Sequence, residues 1–423
     1  MIRNKRVPNL TDHRSSEGVV RRKGIAAEEL RRHNLSAVLD RLHVAGPMSR
    51  SRLAAQTGLN RSTIRDLLNE LGELGLVVED RGPSGAGPGR PSSVARVIPS
   101  GAAVLAIDLE VDSMAVAAVG IGGEIFDEIR ISQLEGGPIS PEDAVAAVVR
   151  LVPPILASLP PGHRLVGAGA GVAGVVRRSD GFVHLAPNLG WRDVPLGAML
   201  AEGLQIDRVM LANEADLGAL AEFRRGAGRG SRNMIFVTGE VGVGIGIIYE
   251  GRPMLGASGY AGEAGHTIIN PSGSRCRCGS IGCWETEVGE EAVIRRAGLE
   301  GRRGVEAMDE IVGRADGGDG DIIKSLEEVG GWIGLGVGSL INTFNPDLVV
   351  LGGFYERIYP WIEGPAIRAA HGVALEAPWA ATEIRSGQLG PDAILTGAAE
   401  LVIGEVVADP GALRSAEPAT TTS

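Results

Sequence analysis

Cysteine is scarce in this chain, with three in 423 residues. All three stand close together as Cys276, Cys278 and Cys283. That count excludes a disulfide framework in practice, since one bridge would leave a thiol over and add little to a long, core-rich chain. Aromatic residues are also few, at 4% against 44% hydrophobic overall, a balance that reads as globular and soluble. No run of about 18 apolar residues occurs, which excludes a membrane-spanning helix. The opening residues Met1-Ile2-Arg3-Asn4-Lys5-Arg6 lack an apolar signal core, so a cytoplasmic location is expected. Lysine is nearly missing too: arginine supplies almost all of the 41 basic residues, which reads as compositional bias rather than recognition.

What is present is a long chain with divided charge. At this length one simple core does not suffice, and two or three domains are expected. Residues 1–100 hold 17 Lys and Arg against 10 Asp and Glu, while the remainder holds 24 against 42. A basic head on an acidic body points to a polyanion at one end only.

The head carries the pattern of a winged helix-turn-helix over 28–98. Leu35, Val38, Leu39 and Leu42 recur at helical spacing, predicting a first helix over 30–45 that Gly46-Pro47 ends. Ser49 or Ser51 can cap a short second helix. Thr57-Gly58-Leu59 makes a turn, and Asn60 caps a third helix with Ile64, Leu67, Leu68 and Leu71 on its inner side. Its other side shows Arg61, Ser62, Thr63 and Arg65, residue types that read base edges and phosphates in a major groove. Arg50 at the second helix and Arg90 in a Gly/Pro/Ser wing between strands at 76–78 and 94–97 complete the expected DNA contacts. Turn, polar helix, wing and positive charge together exclude a helical domain whose charges are merely solvated. The basic stretch 1–27 is expected to be disordered, as is the polar tail 408–423.

From residue 101 to 407 strands and helices alternate. A meander is expected over 104–109, 114–119 and 123–131, then a helix over 142–152 stopped by Pro153-Pro154. Further strands are expected at 165–171, 209–212, 234–237 and 348–351, and helices at 215–224, 327–342 and 393–407. This is a mixed α/β body.

Within that body His266 precedes the three cysteines. Three thiols and one imidazole close a tetrahedral structural zinc site with no open position. Gly279 and Gly282 let the backbone wrap so that Cys283 faces the other two. A metal-free cluster of reduced thiols is the alternative.

The motifs Gly259-Tyr260-Ala261-Gly262-Glu263-Ala264-Gly265-His266 and Cys276-x-Cys278-Gly279-x-x-Gly282-Cys283-Trp284-Glu285 resemble the signature of the ROK family (repressors, open reading frames and sugar kinases). Asn188-Leu189-Gly190-Trp191, Asn213-Glu214 and Asn345-Pro346-Asp347 also fit. The resemblance spans about 30–405, head included. It implies an actin-like, ribonuclease-H-like two-lobed body that closes on a sugar, and a homodimer or dimer of dimers. Carried onto this chain, the sugar ligands are Asn188, Asn213, Glu214, Glu263, His266 and Glu285, with Gly174 contacting through its backbone. Glu263 and Glu285 could instead brace the metal loop, and Asn188 with Trp191 could simply close a turn.

Against the kinase members of the family the chain departs at three places. Their first phosphate loop reads D-x-G-G-T; here it is Asp108-Leu109-Glu110-Val111-Asp112. Their second reads G-T-G-x-G-x-G; here it is Glu240-Val241-Gly242-Val243-Gly244-Ile245-Gly246. Their Asn-Asp base pair is Asn213-Glu214. Carboxylates repel phosphate and fill the space in which backbone N–H groups would cradle it. The expected function is that of a DNA-binding regulator, a repressor of an inverted-repeat operator on double-stranded DNA with a sugar or sugar phosphate as effector, and not an enzyme. The alternative is an active ATP-dependent sugar kinase with a DNA-binding head.

Overall fold

A computed structural model describes residues 16–81, 93–111, 113–132 and 139–414. They fall into two compact units, a head running to Val97 that also takes in the chain from Glu405, and a body from Ile98 to Gly404.

The head opens with α1 (Ser16–Ala45). Its start lies well before residue 28, so the expectation of disorder over 1–27 fails from Ser16 on; residues 1–15 lie outside the described residues. The stretch 16–30 has no proline and is rich in Ala, Arg and Glu, which favour helix. Leu35, Val38, Leu39 and Leu42 are buried as their spacing predicts. Next come β1 (Met48–Ser49), α2 (Arg50–Thr57), α3 (Arg61–Glu73), β2 (Val77–Arg81) and β3 (Ser93–Val97). Ser49 caps α2 by accepting from the Arg52 N–H, and Asn60 caps α3 by accepting from the Thr63 N–H at 2.9 Å. Gly58 (φ 72°) turns the chain between the two helices, a left-handed position natural to glycine. The three strands form a sheet in the order β1-β3-β2; sequence spacing alone did not disclose β1. The wing tip, with Arg90, lies outside the described residues.

The chain's end corrects a second expectation. Far from being disordered from 408, it forms a 3₁₀ turn, Pro410–Arg414, with Pro410 and Leu413 buried in the head unit. Arg414 donates at 2.8 Å to Glu70, a buried carboxylate on α3 that Arg31 also grips, at 2.7 Å. Residues 415–423 lie outside the described residues.

The body is built on two sheets of one plan. In the first, β4 (Ala103–Leu109), β5 (Ser113–Gly120) and β6 (Ile125–Ser132) form an antiparallel meander. Behind α4 (Pro141–Ala157) comes β7 (Leu165–Val172), parallel to β4. A small antiparallel sheet of β8 (Val175–Arg177), β9 (Phe182–Ala186) and β10 (Trp191–Val194) follows, then α5 (Leu196–Leu204). β11 (Val209–Asn213), parallel to β7, closes the order β11-β7-β4-β5-β6, and α6 (Glu214–Arg225) leads out. In the second sheet β12 (Met234–Gly239), β13 (Val243–Tyr249) and β14 (Arg252–Pro253) again form a meander. A helical insertion follows: α7 (Glu285–Val288), α8 (Glu290–Arg296), α9 (Gly304–Asp316) and α10 (Gly320–Phe344). Then β15 (Leu348–Gly353), α11 (Phe354–Val373), α12 (Glu376–Ala380), β16 (Glu383–Ser386) and α13 (Ala393–Ala408) complete the order β14-β13-β12-β15-β16. Two sheets of the same strand order make the expected duplicated α/β body. Pro153 and Pro154 do not stop α4, which runs on to Ala157; both prolines face solvent, where water satisfies the carbonyls their missing N–H groups leave free.

Candidate functional site

The loop between β14 and α7 carries the metal-ligand set. Cys276 and Cys283 are buried, Cys278 and His266 exposed, and their donor atoms all lie within 4.8 Å of one another. Cys276 Sγ is 3.6 Å from His266 Nδ1, and Cys278 Sγ is 3.6 Å from Cys283 Sγ. Ligands about 2.3 Å from a central ion at tetrahedral corners stand nearly that far apart, so the group fits a four-coordinate metal. Gly282 (φ 77°) makes the wrap possible, because a Cβ there would overlap the Asn270 carbonyl oxygen. Burial pushes the Cys276 thiol up to about 12, whereas the Ser280 N–H draws Cys278 down to about 7. Trp284 anchors the loop: it is 1% exposed, packs on Gly336 of α10 and donates its indole N–H to the Trp332 carbonyl at 2.9 Å. Sequence reasoning named Trp284 only as part of a motif and missed this role.

The loop forms one wall of a cavity of about 660 Å³. All seven proposed sugar ligands line it: Gly174, Asn188, Asn213, Glu214, Glu263, His266 and Glu285. His266 turns Nδ1 to the thiols and Nε2 toward Glu263, 4.0 Å away. Glu285 Oε2 accepts from the Val243 N–H at 3.2 Å, which ties the metal loop to β13. Asn213 is largely engaged locally, capping α6 through the Ala215 N–H at 2.8 Å and donating to the Gly174 carbonyl at 2.9 Å. One lone pair and one N–H of its amide are left for a ligand. Asn188 accepts at 2.6 Å from Arg277, a residue that sequence reasoning passed over although it stands between two of the cysteines. Trp191, in contrast, is core: it is 4% exposed and donates to the Ile139 carbonyl.

Deeper in the cleft the character changes. Burial raises Glu214 to about 8, with the Glu110 charge adding to the shift, so its carboxyl is largely protonated at neutral pH. Burial also raises Asp108 and Glu240 well above the usual carboxylate range, Glu110 and Glu214 adding to both shifts. Asp108 Oδ2 is buried without a hydrogen bond among the described residues; Arg130 Nη1 approaches it to 3.8 Å. Asp108, Glu110, Glu214 and Glu240 thus form a carboxyl wall from both sheets. Asp112 lies outside the described residues.

The head's candidate DNA contacts divide. Arg61 and Ser62 are exposed at the start of α3 and Thr63 is half-buried. Ser62 and Asn60 are joined in the cap at 2.6 Å, and Arg65 pairs with its neighbour Asp66. Arg50 is not free: both arms of its guanidinium grip Glu79 on β2, tying α2 to the wing. A sequence gives no sign of such a pairing 29 positions apart.

The ROK family profile matches residues 104–405, and an IclR helix-turn-helix profile matches residues 35–81. The xylose repressor of Bacillus subtilis is 30% identical over 78% of this chain and 84% of its own length. The glucokinase of Halalkalibacterium halodurans is also 30% identical, over 70% of this chain and 93% of its own. Among solved structures, a ROK family transcriptional regulator homologous to the E. coli MLC protein matches 91% of this chain and 98% of its own with TM-score 0.73, at 24% identity. A ROK glucokinase from Streptomyces griseus in complex with glucose and AMPPNP matches 71% of this chain and 98% of its own with TM-score 0.61, at 29% identity. The family match covers both sheets of the body and the metal loop, and the chain therefore belongs to the ROK family, with a helix-turn-helix head.

Proposed function

We propose that this protein is a sequence-specific DNA-binding regulator, a repressor, whose body binds a sugar or sugar derivative and so alters operator affinity. One observation carries the reading. The chain joins a helix-turn-helix head to a ROK body in which Asp108, Glu110, Glu214 and Glu240 cluster, on loops that by their resemblance correspond to the phosphate loops and base of the family's kinases. The sugar-facing wall keeps neutral amides and carboxylates, each able to bridge two hydroxyls. Without a phosphate cradle and with Glu214 protonated, binding has no phosphoryl transfer to serve.

In this reading His266, Cys276, Cys278 and Cys283 hold a structural zinc ion, which when bound cross-links the loop and leaves no open coordination position. With Nδ1 on the metal, His266 keeps Nε2–H to donate to a sugar hydroxyl, while Glu263 and Glu285 accept from others. Gly174 contributes backbone, and Asn188, Asn213 and protonated Glu214 can each donate and accept. A homodimer, or a dimer of dimers, presents two heads to an inverted repeat, and the protein works in the cytoplasm. To change operator affinity about 100-fold, the sugar must discriminate between two conformers by about 2.7 kcal/mol, within reach of three or four buried hydrogen bonds.

Fluorescence-anisotropy titration of the full chain on DNA from its own upstream region tests this. Saturating amounts of one sugar in a panel should shift operator affinity by about 100-fold. Arg61→Ala should weaken operator binding roughly tenfold or more while metal content and melting temperature hold. A chain whose affinity no sugar moves is not a sugar-sensing regulator. Undiminished binding by both Arg61→Ala and Arg65→Ala removes α3 as the recognition helix.

A further inference from the structure

The sugar pocket carries more cationic groups than sugar binding alone requires. Its lining includes the half-buried carboxyls Glu214, Asp216 and Glu285, while its exposed rim, the mouth, carries Glu263 and Glu291 together with four guanidinium groups, from Arg192, Arg275, Arg277 and Arg295. They gather there although the chain as a whole has a net charge of −11. Arg192 and Arg275 are exposed and make no side-chain hydrogen bond or ion pair among the described residues; Arg295 makes one bond of 3.2 Å to the Thr286 carbonyl. Arg277 reaches across the mouth, donating to Asn188 Oδ1 at 2.6 Å by one arm and to Glu291 on α8 by the other. Both ends of its ion pair are half or more exposed, with side chains 51% and 65% accessible. Such a pair is weak and readily exchanged.

This geometry has a consequence for ligand choice. Asn188 Oδ1 has a second lone pair, so a sugar hydroxyl that donates to it lies beside the Arg277 guanidinium. A neutral sugar offers that guanidinium only an uncharged hydroxyl oxygen to donate to. A sugar bearing a carboxylate or phosphate at the mouth offers a charge-assisted partner with two oxygens, which a guanidinium can bind bidentately. The cavity, at about 660 Å³, lies within the range of pockets that bury substituted ligands and has room beyond a single pyranose ring.

We propose that the mouth of the pocket is a subsite for an anionic substituent on the sugar, formed by Arg192, Arg275 and Arg277, with Arg277 its movable member. The proposal rests on the sugar-sensing reading and narrows it to anionic sugars. The carboxyl cluster does not oppose it, because of its members only Glu214 lines the cavity; Asp108, Glu110 and Glu240 are not among the lining residues.

The test is calorimetric titration of the full chain with matched probes: glucose, glucuronate and glucose 6-phosphate, then galactose, galacturonate and galactose 6-phosphate. In one series the anionic member should bind about tenfold tighter than its neutral parent, as charge-assisted bonds imply, and the advantage should shrink as salt rises. Whether glucuronate-type or phosphate-type probes win identifies the anion. Arg277→Gln and Arg192→Gln should each collapse that ratio while metal content and melting temperature stay at wild-type values. Neutral sugars binding as tightly as every anionic one, or a preference surviving in both variants, overturns the subsite but leaves sugar sensing standing. If no probe, neutral or charged, binds the wild-type chain, sugar sensing fails and takes the subsite with it.

Discussion

The two ends of the body's cleft were shaped from the same kinds of element, glycine-rich turns that follow strands, yet they differ in chemistry. At the sugar end the loop from Gly259 to Glu285 gathers four donors that could hold a metal ion, and is fixed by Trp284 under α10 and by the Glu285–Val243 bond. Its polar groups face the cavity. At the phosphate end Asp108, Glu110, Glu214 and Glu240 face one another, and Asp108 Oδ2 lacks a hydrogen bond among the described residues. One end is arranged to hold a ligand. The other is arranged so that a polyphosphate meets like charge and protonated carboxyls. On the function proposed above, the fold keeps sugar recognition and does without the electrostatics that phosphoryl transfer needs.

The comparison breaks most visibly if the chain phosphorylates sugars. Kinases turn over at about 1–100 per second. With ATP, Mg²⁺ and the hexoses above, followed by coupled ADP release, this protein should show no sugar-dependent turnover in that range. Turnover at such a rate restores the kinase reading and removes the contrast between the two ends.

Next in size is the metal. Cys278→Ser should release the ion, seen as the loss of one zinc per chain by atomic spectroscopy. It should also lower the melting temperature by several degrees, since a structural ion contributes its binding free energy to the folded loop. Sugar binding should fail with it, while operator binding by the separate head unit persists. Unchanged metal content removes Cys278 from the ligand set.

How much of this was legible in advance follows from the range of each signal. Local signals read well: the periodicity of Leu35–Leu42, the caps Ser49 and Asn60, the meander of β4 to β6 and the spacing of the cysteines each act within a few residues. Long-range pairings did not. Arg50 looks like a DNA contact until Glu79 is folded beside it, and Arg414 looks like part of a tail until Glu70 is buried beneath it. Arg277 sat inside the most informative motif, but its partner Asn188 comes from another part of the body. Proline as a helix stop misled at Pro153, because a ring on the solvent face near a helix end leaves its carbonyls to water. The carboxyls of the phosphate end could be listed from sequence; that they face one another, and that burial leaves Glu214 protonated, required the fold.

The smallest effect, and the sharpest probe of the phosphate end alone, is in pH. Glu214 rises from 4.5 to about 8 on folding, and burial carries Asp216 from 3.8 to about 6. A carboxyl whose folded value is raised binds its proton more tightly in the native state than in the unfolded one. Below about 4.5 both states are protonated and the group is neutral to stability. Between 4.5 and about 8 the unfolded chain gives up the proton while the native state keeps it, so stability falls steadily as pH rises, and above 8 the loss levels off. The melting temperature of the body transition should therefore be higher at pH 6 than at pH 8.5. Glu214→Gln, which keeps the shape and the donor of the protonated carboxyl without its charge, should raise the melting temperature at pH 8.5 and flatten the profile. It should leave metal content as it was, since Glu214 is no ligand. A variant that melts lower than wild type at pH 7 would mean that Glu214 is ionised in the native cleft at neutral pH, in which case this end of the body has kept a base and the contrast with the sugar end is smaller than drawn here.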